Sequence, residues 1–149
     1  MFTKRNWLIH CPAYDKKLGS SVVLHNFAKE LSEMGDIVVT TSKSPYDSIR
    51  QTSESLIQTM DKKDWIIVLT EDACFENASS FFDIDNTPKF PNIIRWILYV
   101  PGVFVGYRGF YPKNEMVVQY GKSFTIGTPY ENCPELTNVV FEFEFWKDF

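Results

Sequence analysis

Residues 6–42 constrain the fold more than any other part of the chain. They read NWLIHC, PAYDKKLGS, SVVLHNFAKELSEMG and DIVVTTS in succession. Trp7, Leu8 and Ile9 form a continuous apolar run closed by Pro12, which suits a strand buried on both faces. Past an open loop, Val23, Leu24, Phe27, Ala28, Leu31 and Met34 recur at three- and four-residue steps. His25, Asn26, Lys29, Glu30 and Glu33 take the other side of that predicted helix. Ser20 or Ser21 is placed to cap it and Gly35 to end it, and Ile37, Val38 and Val39 supply the next strand. Strand, loop, helix, turn and strand make one parallel βαβ unit, with the helix start beside the first strand's carboxyl end.

The alternation continues less cleanly. Ser44, Pro45 and Asp47 predict a second helix start, with Ser44 as cap and Pro45 as first helical residue. Its buried stripe would be Tyr46, Ile49, Leu56, Ile57 and Met60, with Lys62 and Lys63 at the carboxyl end. Residues 64–69 read as a buried strand followed by Glu71 and Asp72, and residues 76–82 as a short helix. A strand is expected over 93–98, carrying Arg95 within an apolar run, and a strand or helical turn over 115–120. A further strand is expected over 123–126, and the alternation within 139–145 predicts a half-exposed edge strand. The fold class that follows is α/β: a three-layer Rossmann-like domain with a mainly parallel sheet and helices on both faces. The 149 residues give room for one such domain, residues 1–149, with a real core.

Composition narrows the function. A net charge of −4 with no basic stripe argues against nucleic acid as a partner. Cys11, Cys74 and Cys133 are odd in number and lack CxxC spacing, which fits reduced thiols in a cytoplasmic protein. The longest apolar-rich stretch, 96–105, is broken by Pro101 and Gly102 and is too short to span a bilayer. His10 and His25 lack metal-ligand spacing, so neither a metal nor a cofactor is expected. His10 reads as a packed or hydrogen-bonded strand-end residue, His25 as an ordinary polar-face residue and Cys11 as a small buried apolar one. GxSxG, GxGxxG and GxxxxGK[ST] motifs do not occur.

In parallel sheets, ligands bind outside the strands' carboxyl ends where strand order reverses, which makes the first loop a candidate on topology alone. Tyr14, Lys16, Lys17, Gly19 and Ser20 offer ammonium groups, a hydroxyl and helix-start N–H groups to an anion. The plainer reading is a solvated turn with two exposed lysines. Glu71, with Asp72, can orient a sugar hydroxyl or act as a base, or can be a solvated strand-end carboxylate. In residues 101–112, Tyr107 can stack on a sugar and Arg108 can fork onto phosphate or carboxylate. The alternative is a loop that packs its aromatics onto the sheet or against a second chain.

The segment GSSVVLHNFAKELSEMGDIVV resembles the start of the N-terminal, acceptor-side domain of GT-B glycosyltransferases. In that family a glycine-containing loop precedes a helix of the form h-n-l-a-x-x-L-x-x-x-G and then a strand of valines. NIIRWILYVPGVFVGY is similar to the strand and Pro-Gly loop of some bacterial and viral members. The resemblance implies an acceptor-binding half that contributes to hexosyl transfer from a nucleotide-sugar to a glycan acceptor. It further implies that a separate donor-side domain or partner protein completes the site and that the chain alone does not turn over; a homodimer is the other partner considered. The usual glycine pair of the first loop is reduced here to Gly19. The alternative of a different class is a non-catalytic binding or interaction module of the same fold, and a third is a small nucleotide-binding protein.

Overall fold

The computed structural model describes residues 4–102 and 110–137. Six strands, β1 (Asn6–Ile9), β2 (Ile37–Thr40), β3 (Arg50–Gln51), β4 (Trp65–Thr70), β5 (Ile93–Ile97) and β6 (Met116–Gln119), form one sheet in the order β3-β2-β1-β4-β5-β6. Every neighbouring pair is parallel. Two helices, α1 (Gly19–Glu33) and α2 (Glu54–Thr59), lie in the crossovers that build the first half of the sheet. This is the α/β, Rossmann-like architecture that the βαβ reading predicts, with fewer helices than a regular doubly wound fold.

Alternate residues of the strands feed two separate cores. On one face Trp7, Ile9, Val68 and Trp96 pack with Val23, Leu24, Ala28 and Leu31 of α1. On the other, Leu8, Ile67, Leu69 and Ile93 pack with Ile57 of α2 and with Phe81, Phe82 and Phe90. Packing, more than intrinsic propensity, holds α1. Its first turns carry the weak helix formers Ser20, Ser21, Val22 and Val23, while Leu24 and Ala28 are fully buried. Burying a leucine contributes about 1.5–3 kcal/mol, more than the few tenths separating those propensities. Gly35, at φ +95°, ends the helix: its N–H bonds to Ser32 and that of Asp36 to Leu31, closing the carbonyls of the last turn.

Several expectations need correction. No helix starts at Ser44. Its Oγ instead accepts the Tyr46 N–H at 3.1 Å, and the chain runs on into β3 because the sheet takes an extended partner beside β2. The helix begins later, with Ser53 Oγ accepting the Leu56 N–H, and Leu56 is exposed where a buried stripe was expected. Residues 76–82 form turns, with Asn77 Oδ1 taking the Cys74 N–H, so Phe81 and Phe82 reach the core without a helix. The strand expected over 123–126 is a single 3-10 turn, Lys122–Phe124, followed by further turns. Neither Ser20 nor Ser21 caps α1: Leu18 holds the cap position, and no side chain bonds there. His25 and Asn26 are buried, because the loop before α1 and the chain after β2 cover that flank; His25 Nε2 donates to the Pro12 carbonyl and Tyr46 donates to Asn26. The edge strand expected over 139–145 lies outside the described residues.

Candidate functional site

Strand order reverses between β1 and β4, whose chains continue in opposite directions across the sheet. Crossover loops on the carboxyl side part there and leave a crevice. A cavity of about 680 Å³ occupies it, within the range of small-molecule sites. Its described walls come from the carboxyl ends of β1, β4, β5 and β6 and from the start of α1. His10 and Cys11 follow β1, Gly19 and Ser20 open α1, Glu71 and Asp72 follow β4, Tyr99 follows β5, and Tyr120 and Phe124 follow β6.

On the α1 side, the loop is organised by its own short-range bonds. Asp15 Oδ1 accepts the Lys17 N–H and the Asp15 carbonyl that of Leu18. Ser21 Oγ accepts the Asp15 N–H at 2.7 Å and donates to the Ala13 carbonyl. Ser21, inside the helix, therefore ties the loop down and leaves Ser20 in the cavity wall. Tyr14 sits edge-on to His25 at 5.7 Å, and Lys16 and Lys17 are exposed; none of the three is in the wall.

The β4 side is built from a distance. Thr70, Glu71, Asp72 and Ala73 each have their carbonyl held by a side-chain donor. Arg95 takes those of Thr70 and Ala73 at 2.9 and 2.7 Å, Tyr111 that of Glu71 at 3.0 Å and Asn77 that of Asp72 at 2.7 Å. Arg95 is 2% exposed and forks onto Glu115 from Nε and Nη2, with a shortest contact of 2.6 Å. The rings of Tyr111 and Phe82 flank its guanidinium at 4.6 and 5.5 Å. A guanidinium matches a carboxylate and carbonyls at once, which is why arginine suits this buried post.

The resulting electrostatics are distinctive. Burial pushes the Glu71 carboxyl up to about 7; the neighbouring Asp72 charge adds to the rise, while N–H groups of Tyr99 and Leu98 oppose it. Thr70 Oγ1 donates to Asp72 Oδ1 at 2.6 Å, which fixes the orientation of that second carboxyl group. Burial lowers His10 from its ordinary value against the pull of Asp72, which keeps the imidazole neutral near pH 7. Burial raises the Cys11 thiol to about 11, consistent with its reading as a small packed residue. The Tyr120 hydroxyl is buried with no hydrogen-bond partner among the described residues.

Of the residues singled out by sequence, the structure brings Gly19, Ser20 and Glu71 into one wall. It places Tyr14, Lys16 and Lys17 beside the helix start but outside the wall, and Tyr107 and Arg108 lie outside the described residues. Sequence reasoning missed Tyr99, Tyr120 and Phe124; the available signal was their position just past strands whose carboxyl ends share a rim. Among the described residues no helix is long and apolar enough to cross a membrane, and no cluster of three His, Cys, Asp or Glu is placed to hold a metal. No protein-family model matches this chain, and no curated protein and no solved structure matches it.

Proposed function

We propose that the chain is a ligand-binding α/β domain of the acceptor-side, GT-B-like kind. In this reading it holds a glycan or glycoside acceptor and contributes to hexosyl transfer only with a donor-side domain or partner. The observation that carries the reading is the cavity at the strand-order reversal, where Glu71 and the rings of Tyr99, Tyr120 and Phe124 meet the start of α1. Aromatic faces with one or two placed carboxylates are the usual means of holding a sugar, by stacking and by accepting hydroxyl protons. A neutral sugar tolerates the Glu71 and Asp72 pair better than a phosphate does, so this half takes the acceptor and leaves the nucleotide to its partner.

The second reading, a non-catalytic binding module, is favoured by a different observation. The described lining comes from four strand ends and the start of α1, a concave wall that this domain builds from its own elements. Amide NMR titration with phenyl glucoside and with UDP-glucose tests both. The acceptor-side reading expects the glycoside to move the amides of Gly19, Glu71 and Tyr99 while the nucleotide-sugar leaves them in place. Shifts confined to residues away from the cavity, or none with either compound, would sink it. Hexosyl transfer on adding a donor-side partner separates the half-enzyme from the module.

A further inference from the structure

We propose that the natural ligand of this cavity carries a protonated amine next to an apolar or aromatic face. The inference rests on the reading of the cavity as the ligand site and narrows it to a class: an amine-bearing acceptor. It begins from the charges of the wall. Glu71 and Asp72 face the cavity, and among its described lining residues there is no lysine or arginine. His10 adds no charge, because burial keeps its imidazole neutral. Arg95, the cation behind the bend, is already committed to Glu115 and to the Thr70 and Ala73 carbonyls.

A carboxylate held at 6% exposure without a countercharge is costly, and a ligand ammonium supplies what the wall lacks. The rest of the wall suits the same group. Tyr99 and Phe124, with ring centroids 5.8 Å apart and 42° between planes, present aromatic faces that attract cations. The uncapped start of α1 favours an anion, but the magnitudes decide against one. A helix end contributes about 0.3–1 kcal/mol, whereas a hydrogen bond to a charged group contributes about 1.5–3 kcal/mol. An anion would also enter against two carboxylates.

Tyramine and tyrosol, which differ only in an ammonium against a hydroxyl, test the inference near pH 8, about one unit above the Glu71 value, where that carboxylate is ionised. Amide NMR titration of the full chain is expected to give tyramine an affinity about tenfold or more above that of tyrosol, with shifts at Glu71 and Tyr99. Glu71→Gln is expected to shrink the preference to about threefold or less, and Tyr99→Leu, at a side chain 49% exposed, to weaken tyramine without unfolding the domain. Equal affinities, or a preference that survives Glu71→Gln and Tyr99→Leu together, would overturn the inference. Phenyl glucoside in the same series keeps the two readings apart. If it binds while tyramine shows no advantage, the amine inference alone fails; if neither tyramine, tyrosol nor the glycoside moves the cavity amides, the site reading fails with it.

Discussion

The two sides of the crevice are held in opposite ways. The loop before α1 is fixed by partners 2 to 13 residues away, within itself or in the helix it leads into. The carboxylate bend after β4 has three of its four carbonyls fixed by Arg95 and Tyr111, across separations of 22 to 40 residues. The first side is exposed and local, and the second is buried and tied to the core. A site that joins the two gains an anchored set of charges opposite a contact surface that can be altered at small cost to the fold.

The largest expected effect lies on the buried side. Arg95→Ala leaves Glu115 buried without its partner and frees the Thr70 and Ala73 carbonyls, and should cost about 3–5 kcal/mol in chemical denaturation. A loss of under about 1 kcal/mol would mean that the pair behaves as a surface ion pair, and the contrast would break.

Glu71→Gln sharpens the comparison through pH. The folded carboxyl sits near 7 against an ordinary 4.5, so the folded state holds the proton more tightly than the unfolded one. The stability this group contributes is therefore full below about 4.5 and is lost as pH rises through about 7. The loss is about 3 kcal/mol at 1.36 kcal/mol per unit. His10 and His25, both lowered by burial, act in the opposite sense below their ordinary values, but they are common to both proteins and cancel in the difference. Urea midpoints across this range should fall less steeply for the variant, which should match or exceed the parent above pH 7. Parallel curves would show that Glu71 titrates as an exposed carboxylate.

Tyr111→Phe removes the bond to the Glu71 carbonyl, and about 1 kcal/mol should be lost in the same assay. No loss would mean that the bend is held without that tie. Smallest of all, Lys16→Ala combined with Lys17→Ala should change stability by no more than about 0.5 kcal/mol, because both side chains lie on the surface. A drop of a few times that size would show the ammonium groups holding the loop, and the local side would no longer be the pliant one.

The same contrast explains what the sequence made legible. The βαβ unit is written in short-range terms: an apolar run, a periodic stripe and a glycine at φ +95°, so its strands and helix fall where periodicity places them. Gly19, Ser20 and Glu71 were reachable because topology alone locates the rim. The Ser44 turn carries the chemistry of a helix cap, but pairing of β3 with β2 overrides it, and no local pattern announces that competition. Arg95 was visible as an anomaly in an apolar strand, yet its partners Glu115, Thr70 and Ala73 belong to other segments. Tyr99, Tyr120 and Phe124 look like ordinary aromatics until the strands before them are laid side by side.

Because Arg95 spans β4, β5 and the residue that leads into β6, the spacing of those strands is also the ruler that sets where the two acids stand. Any incoming molecule has to conform to that fixed template. Changes of taste from one compound to another would be written instead into Pro12 and Leu18, the exposed wall residues of the loop before α1.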